Sequence, residues 1–128
     1  MKKVLIFASL IAAGLSSLAH ATDYVFVAND SSLETKMCIA AGSDNRSALR
    51  MRMTSDRANA RYHANTIVCN GASLAQFAHQ YGAQKTYNYL APLTKNKYLY
   101  DEKVTIKDLT YAEPKGAHQT VYVMVSGQ

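Results

Sequence analysis

The sequence predicts a small α+β domain: three to four short helices, closed by one disulfide, packed on a small antiparallel sheet of an N-terminal strand plus a C-terminal hairpin. Three observations carry this. Apolar residues recur at helical spacing between residues 33 and 91. Alternating β-prone runs flank that region on both sides. The chain of 128 residues holds two cysteines, Cys38 and Cys69, so one pairing is available.

Residues 1–21 read as a cleaved signal peptide. Lys2 and Lys3 form its positive start, Val4 to Leu15 is almost wholly apolar, and Ala19-His20-Ala21 offers small residues at a cleavage point. The apolar run is shorter than the roughly 20 residues a membrane span needs. Cleavage after Ala21 leaves residues 22–128 as one small domain, with no later stretch able to cross a membrane. Lys2 and Lys3 leave with the signal, so the formal charge falls from +5 to +3. That charge does not by itself imply a nucleic-acid or membrane partner. The expected location is the periplasm or the medium, an oxidising setting that favours a structural disulfide. Closing the Cys38–Cys69 loop is worth about 3.5–4 kcal/mol by chain entropy. A redox Cys-x-x-Cys is absent, and neither cysteine has a second close ligand for zinc.

Tyr24 to Ala28 is a β-prone run ended by Asn29-Asp30. Ser31 with Glu34 fits a capping box for a first helix, whose Leu33, Met37, Ala40 and Ala41 share a face and whose stop is Gly42. Asp44 or Asn45 is placed to cap a second helix marked by Leu49 and Met53. Residues 54–63 have no clear apolar period and read as loop or frayed helix. Thr66 to Cys69 is a short extended run halted by Asn70-Gly71, a turn dipeptide. Ser73 and Gln76 fit another capping box, and Leu74, Phe77, Ala78 and Tyr81 follow at i, i+3, i+4, i+7 up to Gly82. A further helix runs from Ala83 to Ala91, closed by Pro92. Lys103–Lys107 and Thr120–Val125 alternate and flank turn residues Glu113–Gly116, which predicts a hairpin that the first strand can join.

Cys38-Ile39-Ala40-Ala41, Cys69-Asn70-Gly71, Phe77-Ala78 and Tyr81-Gly82 together resemble an uncharacterised family of small exported proteobacterial proteins, a domain of unknown function. The resemblance covers roughly residues 24–93. It implies a Gram-negative periplasmic setting and supports the cysteine pairing. It brings no activity, cofactor or partner.

Two clusters are candidates for binding. On one continuous helix Arg46, Arg50, Arg57 and Arg61 would lie within about 60° of one another, a stripe able to grip polyanions, with Arg52 nearby. The alternative is an ordinary solvated face, and a break at Ser55-Asp56 would dissolve the stripe. The second cluster sets Tyr87, Tyr89, Tyr98 and Tyr100 among Lys95 and Lys97, a composition suited to stacking or to a protein interface. Against it stands the ordinary role of tyrosine at a core boundary, ring inward and hydroxyl to water.

His63, His79 and His118 form no metal-ligand spacing, no Gly-x-Ser-x-Gly elbow is present, and Glu34 is taken by a cap. No catalytic residue, metal site or cofactor is assigned. The expected function is a non-enzymatic binding or interaction module working through the Tyr-Lys segment, with a periplasmic protein or an anionic envelope component as partner. A polyanion or envelope-lipid binder through Arg46–Arg61 is the first alternative. A small hydrolase or enzyme inhibitor is the second.

Overall fold

The computed structural model describes residues 21–55, 57–99 and 118–128. Strand β1 (Ala21–Ala28) leads into helix α1 (Leu33–Gly42), α2 (Arg46–Met53) and α3 (Ala60–Thr66). A minimal hairpin follows, β2 (Val68–Cys69) and β3 (Ala72–Ser73), then α4 (Leu74–Gln80) and α5 (Gln84–Leu90). A 3-10 turn (Ala91–Leu93), α6 (Asn96–Leu99) and β4 (His118–Val125) complete the described chain. The α+β class and the Cys38–Cys69 disulfide hold; the short helices α3 and α6 exceed the number the sequence predicts.

Helix α1 is the hub. It packs on α2, α4, α5, β1 and β2, and Met37, Cys38, Ala40 and Ala41 are buried. A helix wrapped on several sides needs small side chains, which explains its alanines and Gly42. Its cap is Ser32, one residue later than predicted, accepting the Thr35 N–H at 3.2 Å. The shift follows from Asp30, whose carboxylate takes the Ser32 N–H at 2.8 Å and sets Ser32 in the extended conformation a cap requires. Gly42 is not a left-handed stop. It is the last residue of α1, at a point where a Cβ would come within 2.7–2.9 Å of the Phe77 and Phe26 rings.

Asn45 caps α2, accepting from Ala48 N–H. Asp44, at φ 58°, serves a different helix: its carboxylate accepts the Thr86 N–H at 3.0 Å. That bond completes α5, whose own N-cap is Ala83 and has no side-chain acceptor. The Thr86 hydroxyl, fully buried, donates to Ala41 O at 2.6 Å and so ties α5 to α1. The capping box of α4 is present as predicted, and Gly82 follows with φ 67°. Asn70 and Gly71 both take positive φ in the β2–β3 turn, as their dipeptide requires.

The sheet corrects the sequence. β1 and β4 pair in parallel, with Tyr24 beside Val121, Phe26 beside Val123 and Ala28 beside Val125. Alternation fixes which face a residue takes but not which way a strand runs. A parallel pair needs a long crossover, and the helical body from α1 onward supplies it. The first arm of the predicted hairpin, 103–107, and its turn, 113–116, lie outside the described residues. Val121, Val123 and Val125 face the core, where Phe26, Phe77 and Tyr81 form an aromatic cluster with ring centroids 4.8–5.9 Å apart.

The C-terminal tail closes the structure. Val68 and Gln128 exchange backbone hydrogen bonds at 2.9 and 3.0 Å. The Asn70 amide donates to Met124 O and accepts from Ser126 N–H. Gly127 N–H donates to the buried Thr35 hydroxyl at 2.9 Å, and a Cβ at Gly127 would collide with the Glu34 and Thr35 backbone. The disulfide, both sulfurs fully buried, joins α1 to β2 at the same place, with a Cα separation of 5.6 Å.

Candidate functional site

The α2–α3 connection decides the arginine question. The Thr54 hydroxyl donates to Arg50 O at 3.0 Å and the Ser55 hydroxyl to Arg52 O at 2.8 Å, so α2 ends at Met53. No continuous helix carries Arg46, Arg50, Arg57 and Arg61 as one stripe. Arg46 sits over the Tyr89 ring, 5.6 Å from its centroid. Arg50 is exposed, Arg52 folds back to donate to Ala48 O at 3.2 Å, and Arg57 is exposed in the connection. Arg61 alone of the five rises on α3.

The tyrosines divide as well. Tyr87 and Tyr89 are half-buried against the core, Tyr87 with its ring 5.2 Å from His79. Tyr98 lies on α6, and Tyr100 is outside the described residues. Lys95 and Lys97 are exposed, and the Lys97 ammonium stands 4.6 Å from the centroid of the Tyr98 ring.

A groove of about 400 Å³ between α3 and α6 reunites part of both clusters: Arg61 and Tyr62 from one side, Lys95 and Tyr98 from the other. Its walls are held by amides and hydroxyls. Asn59 caps α3, its side-chain oxygen accepting the Tyr62 N–H at 2.8 Å. Asn65 is a clasp between the walls. Its amide nitrogen donates to Arg61 O at 2.6 Å and Leu93 O at 2.9 Å, and its oxygen accepts the Lys95 N–H at 2.7 Å. Ser73, the α4 cap, donates to Tyr98 O at 2.6 Å and anchors α6. The groove therefore rests on a backbone fixed from two directions.

The charge in it is positive. Among the described residues Arg61 and Lys95 line it, and no carboxylate, histidine or cysteine does. A hydrogen bond from Lys97, its positive charge and that of Lys95 hold the Tyr98 phenol below the usual tyrosine range. Asn59, Tyr62, Asn65 and Thr66 were not marked by the sequence as site residues. The spacing of Asn59 to Tyr62, a cap and its N3 partner, was the available signal for the first two. Nothing local announces that Asn65 reaches a segment 28–30 residues away.

Comparison with known families gives a match. Residues 37–111 fit the family described as "Protein of unknown function (DUF3718)". The chain belongs to this family. The DUF3718 region takes in α1 from Met37 onward, the later helices, both cysteines and the whole groove, and it begins after β1 and ends before β4. Comparison with curated proteins and with solved structures returns no match. Among the described residues of this DUF3718 chain, no group of three or more His, Cys, Asp or Glu is placed to hold a metal ion. No helix among them is long and apolar enough to cross a membrane.

Proposed function

We propose that this DUF3718 protein is exported, is cut after Ala21, and works in the periplasm or outside the cell as a non-enzymatic binding module. The Lys2-Lys3 start, the apolar run behind it and the buried disulfide support export. A cut after Ala21 removes only the first residue of β1. The observation that carries the binding role is the groove between α3 and α6, where two cations and two tyrosine rings meet on a clasped backbone. Tyrosine and arginine are the residues that anchor interfaces most often. Cations, ring faces and amides are recognition groups, and these are what the described lining presents.

Capture by the tagged, processed protein from envelope extract tests the role. Parent and Tyr62→Ala/Tyr98→Ala proteins should give different profiles, and identical profiles would end the groove reading.

The exposure of Arg50, Arg57 and Arg61 favours a second reading, a polyanion or envelope-lipid surface along that segment. It requires binding to anionic vesicles that collapses as salt rises and that Arg46→Gln/Arg50→Gln removes. Binding through the groove survives that double substitution.

A further inference from the structure

We infer that the groove between α3 and α6 takes the phosphate monoester group of a small organic ligand, Arg61 and Lys95 gripping the phosphate while the Tyr62 and Tyr98 rings flank the organic part. The inference rests on the binding-module reading and gives it a ligand class.

Much of the lining's hydrogen-bonding capacity is already committed within the protein. Both hydrogens of the Asn65 amide are donated to backbone carbonyls, and its oxygen takes the Lys95 N–H. The Thr66 hydroxyl donates to Tyr62 O at 2.9 Å. The Asn59 oxygen holds the Tyr62 N–H, which leaves its amide hydrogens. What the described residues present to the groove is therefore mostly donor: a guanidinium, an ammonium, amide hydrogens and two phenols. A neutral sugar, whose hydroxyls donate as well as accept, finds few acceptors there. A ligand made of acceptors and negative charge finds its complement. A phosphate monoester brings three acceptor oxygens and close to two negative charges at neutral pH. Arg61 and Lys95 supply two positive charges in the lining, and Lys97 adds a third beside Tyr98. The polarised Tyr98 phenol is a stronger donor than an ordinary tyrosine. The volume of about 400 Å³ exceeds what a phosphate alone fills and falls in the range of small-ligand sites, so an organic moiety against the rings belongs to the ligand.

The test is an amide-shift titration of the processed protein with three probes: phenyl phosphate, inorganic phosphate and phenyl β-glucoside. Phenyl phosphate should shift the amides of Arg61, Tyr62, Lys95 and Tyr98 and bind about tenfold more tightly than inorganic phosphate, and the glucoside should shift none. Arg61→Gln and Lys95→Gln should each weaken phenyl phosphate by about tenfold. The charge-matched control Lys36→Gln, which removes one positive charge away from the groove, should stay within about twofold. Thermal melts of all variants establish folding. Equal losses in the groove variants and the charge-matched control, or shifts spread along α2, overturn the inference. If no phosphate probe moves the groove while Tyr62→Ala/Tyr98→Ala still changes the capture profile, the ligand class is wrong and the binding module stands. If both experiments fail, both fall.

Discussion

Replacing Gly42 by alanine sets two opposed effects against each other, and the structure decides the sign. Alanine in a helix is favoured over glycine by about 1 kcal/mol, less at a helix end. Gly42 is the last residue of α1, so at most that gain is available. Against it stands a Cβ placed 2.7 Å from Cε1 of Phe77 and 2.8–2.9 Å from Cζ and Cε1 of Phe26. Phe77 is 1% exposed and has nowhere to go. Phe26 is only half-buried, but it is wedged between Tyr24, Phe77 and Tyr81. Forcing a methyl into such a site costs about 1–3 kcal/mol. The net expectation for Gly42→Ala is a loss of about 1–2 kcal/mol, a fall in Tm of roughly 5–10 °C for a domain of this size. Urea unfolding followed by far-UV circular dichroism measures it, since the chain has no tryptophan. Phe26→Leu removes ring atoms that the new methyl meets, so Gly42→Ala and Phe26→Leu should couple favourably by at least about 0.5 kcal/mol in a double-mutant cycle. A Gly42→Ala protein as stable as its parent would show that the rings do not close on α1. So would strict additivity with Phe26→Leu.

Three further outcomes follow from the same contacts. Cys38→Ala/Cys69→Ala opens a loop of 31 residues' separation and should cost about 3.5–4 kcal/mol in urea unfolding, with a loss under about 1 kcal/mol contradicting the staple. Asp44→Ala strips the Thr86 N–H of its acceptor and puts alanine at φ 58°, an expected loss of about 1–3 kcal/mol, whereas Asp44→Asn keeps an acceptor and tolerates that φ, and stays close to the parent. Hydrogen bonds from the Ser32 hydroxyl and N–H hold the Asp30 carboxyl below its usual range, so its contribution is full above about pH 4 and is lost as pH falls through the lowered value; Asp30→Asn should remove that part of the acid slope in a stability-against-pH series.

What the sequence made legible was local chemistry. Ser73 and Gln76 advertise a cap because each satisfies the other's backbone, and Gly82 ends α4 because it can take φ 67°. Two cysteines leave one partner each. What it hid was direction and distance. The alternation in Thr120–Val125 marks the buried valines but says nothing about β4 running parallel to β1. Gly42 looks like a helix stop, and only the rings of Phe26 and Phe77 reveal it as a point of close approach. Four-residue α6 is too short to show a period, and Ser73, the N-cap of α4, holds it. The candidate site was half visible: Lys95 and Tyr98 were marked in one cluster and Arg61 in the other, and the groove draws on both. Asn65 regrouped them, through bonds to both walls that no sequence period encodes.

Site-specific photo-cross-linking in living cells asks most directly whether the groove is the working surface. A photoreactive residue at position 62, on the groove wall, is compared with one at position 122, on the exposed outer face of the β1–β4 sheet. Intact-mass measurement should find an adduct from position 62 that Arg61→Gln abolishes, and none from position 122. Adducts from position 122 alone would move the working surface to the sheet and leave the groove without a role.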